Sequence, residues 1–193
     1  MANIGIIVGT TRQGRITDKL AKWVAVQAAK NAGTEVEVVD LVDYPLPFFD
    51  EQIPPRYNPA RETTPEVQKW LDKVAELDGY VIVTAEYNRS VPGVLKNALD
   101  NLGNEMVDKP IAIVAHGSTG GAQAVASLRI TLPGNGAVTV PNALFFTDRV
   151  SEAIDDAGII SAELQDGPYS PQASLDTALA SLVWYTDTLK AAK

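Results

Sequence analysis

The sequence predicts an α/β fold: a five-stranded parallel sheet in the order 2-1-3-4-5 with helices on both faces. Three observations predict it. Short β-branched runs alternate with longer stretches whose apolar residues recur every three or four positions, the pattern of strands joined by covering helices. The strand segments are almost continuously apolar, as strands buried on both faces must be. Glycine-rich loops follow the first and fourth strands, the ends at which such sheets bind ligands. With 193 residues, 46% hydrophobic and 21% charged, the chain is long enough for a full core and reads as one domain over 1–193.

Asn3 to Val8 forms the first strand, and Gly9 ends it. Ile16, Leu20, Trp23, Val24 and Ala28 make one stripe of a helix from about Ile16 to Ala32, with Gly33 as its stop. Glu35 to Val39 alternates as the second strand. Between Asp40 and Arg61, five prolines preclude regular structure, and Tyr44, Phe48, Phe49 and Tyr57 are interspersed. A loop of that length is expected to be functional or to cover something. Thr64-Pro65-Glu66 supplies a cap, a first-turn proline and a first-turn acid for a helix buried through Val67, Trp70, Leu71 and Val74.

Gly79 to Thr84 is the third strand. Ser90-Val91-Pro92-Gly93 starts a helix buried through Val91, Leu95, Ala98, Leu99 and Leu102, and Pro110 to Ala115 is the fourth strand. Gly117, Gly120 and Gly121 open a helix to about Leu132, which Pro133-Gly134-Asn135-Gly136 breaks. Val138 to Phe146 is the fifth strand. The last helix runs from about Ala173 to Lys190 on Leu175, Leu179, Leu182, Val183 and Leu189. Trp23, Trp70 and Trp184 are expected in the core or at a subunit interface.

Composition excludes several chemistries. Sixteen basic against 24 acidic residues give a net charge of −8, the wrong sign for a general nucleic-acid binder. The absence of cysteine removes disulfides, thiolate nucleophiles and iron–sulfur clusters, so redox chemistry needs a borrowed cofactor. A single histidine, His116, excludes a multi-histidine metal site, and no metal is expected. The chain starts directly on its first strand, without a basic leader or an apolar run of membrane length. A soluble cytoplasmic protein with no membrane partner is expected.

After the first strand, Gly9-Thr10-Thr11-Arg12-Gln13-Gly14-Arg15-Ile16-Thr17-Asp18 leads into a helix N-terminus. Backbone N–H groups and the helix dipole there favour a phosphate. Arg12 or Arg15 would add charge-assisted bonds worth about 1.5–3 kcal/mol each. A Walker A loop needs lysine and Ser/Thr where Arg15 and Ile16 stand, and a G-x-G-x-x-G fingerprint needs glycine where Thr11 stands.

After the third strand comes Ala85-Glu86-Tyr87-Asn88-Arg89-Ser90-Val91-Pro92-Gly93-Val94-Leu95-Lys96-Asn97-Ala98-Leu99-Asp100, and after the fourth His116-Gly117-Ser118-Thr119-Gly120-Gly121. With the first loop, these closely resemble the NADPH-dependent FMN reductase family of the flavodoxin-like fold, which includes quinone, chromate and azo-dye reductases. The resemblance runs from about Asn3 to about Phe146. It implies that Thr10, Arg12, Arg15 and Thr17 hold the FMN phosphate and that Glu86, Tyr87 and Asn88 lie along the isoalloxazine ring. His116 and Gly117 would stand beside that ring, with Ser118, Gly120 and Gly121 closing over its pyrimidine edge. Two residues depart from the family pattern: Ala85 replaces a usual proline before Glu-Tyr-Asn, and His116 stands where tyrosine is common. The first implies a less fixed loop and a more easily lost flavin. The second puts a side chain that ordinarily titrates near neutrality beside the ring, to tune it, to donate a proton, or simply to sit at a strand end.

The implied activity is hydride transfer from NADPH or NADH to FMN N5, followed by two-electron reduction of a quinone, azo compound, metal oxyanion or free flavin. Gly120 and Gly121 N–H groups would stabilise charge near N1 of the ring. The resemblance also implies a homodimer or homotetramer, with the helix from Ser90 to Leu102 as a contact and the Asp40–Arg61 segment framing the acceptor pocket. The alternative is a flavodoxin-type electron carrier without substrate turnover, against which stand Arg12, Arg15 and Glu-Tyr-Asn. A hydrolase built on Ser118 and His116 lacks the G-x-S-x-G elbow. A receiver-type phosphorelay domain lacks acids after the first strand.

Overall fold

The computed structural model describes residues 1–31, 33–147 and 149–193. In chain order the elements are β1 (Ala2–Val8), α1 (Thr17–Ala28), β2 (Thr34–Asp40), α2 (Pro65–Glu76), β3 (Gly79–Ala85), α3 (Gly93–Asp100), β4 (Pro110–His116), α4 (Ala122–Thr131), β5 (Val138–Phe146), α5 (Val150–Ala153) and α6 (Pro171–Ala191). The strands form one parallel sheet, as the alternation predicts, in the order β2-β1-β3-β4-β5 expected of a doubly wound fold of this size. β3 and β4 are buried at every residue. β2, at an edge, turns Glu35 and Glu37 to solvent, where charges oppose edge-to-edge pairing.

Alternate strand residues feed two cores, following the two-residue period of a strand. Ile4, Ile6, Val8, Val81, Val83, Ala112 and Val114 pack with α1 and α6. Ile7, Tyr80, Ile82, Ile111, Ile113 and Ala115 pack with α2, α3 and α4. Two helix starts are capped by side chains: Thr64 Oγ1 accepts from Val67 N at α2, as the sequence predicts, and Ser170 Oγ accepts from Ala173 N at α6. Between Ile111 and Ile113 the β4–β5 register shifts. Pro141 of β5 lies there, with no N–H to offer the ladder. No helix among the described residues is long and apolar enough to cross a membrane.

Several expected boundaries are corrected. α1 ends at Ala28, ahead of Ala32, which lies outside the described residues. α3 begins at Gly93 rather than Ser90, because Tyr87 and Ser90 exchange both backbone hydrogen bonds across a tight turn and Pro92 follows it. The Asp40–Arg61 segment contains single 3₁₀ turns at Leu41–Asp43 and Pro55–Tyr57. After α4, Leu132–Asn135 tightens to a 3₁₀ turn, since Pro133 at a turn's start keeps its helical φ. α6 begins at Pro171, two residues earlier than expected. α5 and a 3₁₀ turn at Ala162–Leu164 have no counterpart in the sequence reading; both are too short to show a period. Trp23 and Trp70 are fully buried, whereas Trp184 is 61% exposed, so it is not a core residue.

Candidate functional site

The loops after β1, β3 and β4 emerge at the carboxyl ends of neighbouring strands and are tied together by side chains. Arg12 Nε donates to Tyr87 Oη at 3.3 Å, joining the first loop to the second. Thr17 Oγ1 lies 2.8 Å from His116 Nε2, joining α1 to β4. Glu86 N donates to His116 O, and the Glu86 carboxylate accepts from Gln123 N at 2.9 Å. Glu86, expected along the ring, thus caps α4.

The first loop offers donors that the protein itself leaves unused. Among the described residues, no backbone N–H from Thr10 to Gly14 has a protein acceptor. α1 has no side-chain cap, so its first-turn N–H groups face the same loop. Thr10 is fully buried, and its Oγ1 has no hydrogen-bond partner among the described residues. A buried hydroxyl without a partner costs about 1–3 kcal/mol, which a bound anion would offset. Arg12 is exposed, with its Nε on Tyr87 Oη and its Nη1 on Gln13 O. Arg15 is not placed like Arg12: its guanidinium donates to Asp40 Oδ1 at 2.8 Å, pairs with Oδ2 and also bonds Thr10 O. This fork holds the loop's shape. Asp40 was missed by the sequence reading, although its place at the end of β2, next to β1 in the sheet, is the signal that could have found it.

In the second loop Asn88 and Arg89 take φ of 50° and 68°, a left-handed pair uncommon outside glycine and suggestive of a functional turn. Both are exposed, and Tyr87 is half-buried. Arg89, at the tip of the turn, was also not singled out from sequence. In the third loop Gly117 lies against Glu86, and Ser118 is exposed. Gly120 and Gly121 have φ of 67° and 78°, the conformation that favours glycine. Gly120 N donates to Gly117 O, so that donor is engaged within the turn. The N–H groups of Ser118, Thr119 and Gly121 have no described acceptor.

His116 is 8% exposed. Burial lowers its imidazole from 6.5 to about 4, because desolvation disfavours the charged ring; at neutral pH it carries no charge to donate as an acid. The unfolded chain therefore binds this proton first. The neutral ring's contribution to stability is complete above about pH 6.5 and is lost as pH falls toward 4. At about 1.4 kcal/mol per pH unit, the loss between pH 7 and pH 5 is about 2 kcal/mol. Urea unfolding at the two pH values should show His116→Phe spared that part of the parent's loss; equal losses would rule the ring out as its source.

Two surface clefts lie away from these loops: one of about 600 Å³ beside Tyr57, Leu99 and Asn135, and one of about 420 Å³ beside Gln27, Ile159 and Gln172. Their polar side chains are largely used internally, Gln27 Oε1 accepting from Lys30 and Gln172, and Arg56 donating to Gly134 O.

The family described as NADPH-dependent FMN reductase matches residues 2–152. An NAD(P)H-dependent FMN reductase of Schizosaccharomyces pombe is 32% identical over 157 residues, covering 80% of this chain and 78% of the relative. An NADPH azoreductase of a Bacillus species is 34% identical over 139 residues, covering 70% and 71%. Among solved structures, FerB, a flavoenzyme NAD(P)H:(acceptor) oxidoreductase from Paracoccus denitrificans, is similar with a TM-score of 0.74 and 25% identity over 96% of this chain and 99% of that one. A family match that runs from β1 past β5, and so takes in all three strand-end loops, covers the site as well as the fold: the chain belongs to the NADPH-dependent FMN reductase family.

Proposed function

We propose that this chain is an FMN-dependent NAD(P)H oxidoreductase of the cytoplasm, acting as one domain per subunit. It delivers two electrons to a small-molecule acceptor such as a quinone, an azo compound, a metal oxyanion or free flavin. The observation that carries this reading is the run of N–H groups from Thr10 to Gly14 that have no acceptor among the described residues, beside an uncapped α1. When bound, FMN supplies the two-electron chemistry, and the protein supplies position and electrostatics. Arg12, the loop N–H groups and the Thr10 and Thr17 hydroxyls bind the phosphate, while Arg15, locked to Asp40, keeps the loop open for it. Tyr87 and Asn88 border the ring. Glu86, by capping α4, fixes the glycine turn whose Ser118 and Gly121 N–H groups face the pyrimidine edge.

A homodimer or homotetramer belongs to this reading. Phe48 and Tyr57 are each 84% exposed on the proline-rich segment, apolar area that a second copy would cover. That segment is held in place by Asn97, which donates to Pro47 O and accepts from Phe49 N, and by Arg61, which pairs with Glu51 and donates to Asn101 O. It is a fixed frame available to line an acceptor pocket.

The test is an anaerobic absorption spectrum of protein loaded with FMN and desalted. Flavin colour is expected to be retained, to bleach on adding NADPH and to return on adding a quinone. Retention without bleaching would make the chain an electron carrier. Loss on desalting, with NADPH oxidation that depends on added FMN, would make the flavin a substrate.

A further inference from the structure

His116 is the single histidine of the chain, and the one hydrogen bond of its ring among the described residues is the 2.8 Å contact from Nε2 to Thr17 Oγ1. Thr17 is the first residue of α1, 1% exposed, at the helix end that meets the Thr10–Gly14 loop. A threonine hydroxyl has one proton to give. If Nε2 is bare, the hydroxyl spends that proton on the ring and has none for an anion. If Nε2 carries the proton, the ring donates and the hydroxyl's own proton is free, with its dipole reinforced by the bond behind it. The ring is buried and neutral, so it has one N–H to place on one of two nitrogens. Nδ1 has no hydrogen-bond partner among the described residues. Only the ring can turn the Thr17 proton outward.

We propose that His116 is a positioning residue for the flavin phosphate: as the Nε2–H tautomer it donates to Thr17 Oγ1 and aims the Thr17 proton at the anion held by the Thr10–Gly14 loop. This rests on the phosphate lying in that loop, as read above. His116 then acts on the part of the cofactor farthest from the chemistry, through one hydroxyl, and not on the ring. The strand end and the helix start are brought into register because the sheet places the carboxyl end of β4 near that of β1, with only β3 between them.

With one histidine, a 15N-labelled sample gives a single imidazole spectrum, and no variant is needed to read its tautomer. Long-range 1H–15N correlation on the FMN-loaded protein at pH 7 is expected to show the proton on Nε2. A proton on Nδ1 overturns the proposal. Affinities for FMN and for riboflavin, which lacks the phosphate, supply the second readout by quenching of flavin fluorescence. His116→Phe is expected to weaken FMN about tenfold, or about 1.4 kcal/mol, and riboflavin less than twofold. His116→Gln, whose amide can donate from a similar position, should restore most of the loss, and His116→Phe should add nothing in a Thr17→Val background. Equal losses of FMN and riboflavin, or no loss of either, overturn the proposal. Arg12→Ala separates the two failures. If it lowers the FMN preference while His116→Phe does not, the relay alone is wrong; if neither lowers it, the phosphate does not lie in this loop and both readings fall.

Discussion

Replacing Gly121 by alanine is expected to destabilise the protein by about 2–5 kcal/mol and to disorder the turn after β4. Two terms add. At φ 78° an L-residue costs about 1–2 kcal/mol. A Cβ there would also stand 2.5 Å from Ala115 Cβ and 2.9 Å from His116 N, both on a central strand that cannot move aside, and overpacking of this kind costs about 1–3 kcal/mol. Gly14 separates the terms: its φ is 66°, but a Cβ would meet nothing within 4 Å, so Gly14→Ala should cost only the first. Urea unfolding of both variants measures the difference. Equal costs would mean that the close approach of the turn to β4 is not what requires glycine. The same contact explains why the consequence extends to the site: pushing back His116 N moves the residue whose ring meets Thr17 and whose carbonyl accepts from Glu86.

Trp70→Ala is expected to cost about 3–5 kcal/mol, the range for removing a buried large aromatic, and to lower the melting temperature on the order of 10 °C for a chain of this size. Trp70 is fully buried in the core under α2 and meets Tyr44 edge-on at 5.4 Å. Its Nε1 donates to Ala98 O at 2.9 Å, one of the last-turn carbonyls of α3 that the helix itself leaves unpaired. Trp70→Phe keeps much of the apolar volume and loses that bond, so it should fall between the parent and Trp70→Ala, at about 1–3 kcal/mol. Were Trp70→Phe as stable as the parent, the bond to α3 would contribute nothing. The position matters beyond stability, because α3 also carries Asn97, which clamps Pro47 and Phe49; loosening α3 loosens the proline-rich frame.

The legible features were those with a local cause. β1, β3 and β4 are continuous apolar runs because both faces are buried, and the stripes of α1, α2 and α6 repeat because one face of each packs on the sheet. Thr64-Pro65 marked its helix start to the residue. Less legible were elements below one full period, such as α5, and the start of α3, where the Tyr87–Ser90 turn intervenes. The strand-end loops were recognisable by composition, yet the task of each side chain was not. Arg12 and Arg15 look equivalent in sequence, and only the pairing of β1 with β2 brings Asp40 to Arg15, while Arg12 stays exposed with its Nε on Tyr87. Nothing local to Glu86 marks it as a cap, and only the closeness of the β3 and β4 ends lets its carboxylate accept from Gln123 N at the start of α4.

The sequence by itself determined the five strands, the two-sided cover of the sheet and the absence of thiol chemistry, and it singled out the three strand-end loops, because periodicity and composition are properties of neighbouring residues; the strand order followed only as the commonest for a doubly wound sheet of this size. The tertiary structure alone decided which donors remain free, which arginine is bound, and that His116 meets Thr17 across 99 residues of chain. Hydrogen bonds between strand ends depend on which strands are neighbours in space, and no local spacing in the chain encodes that pairing.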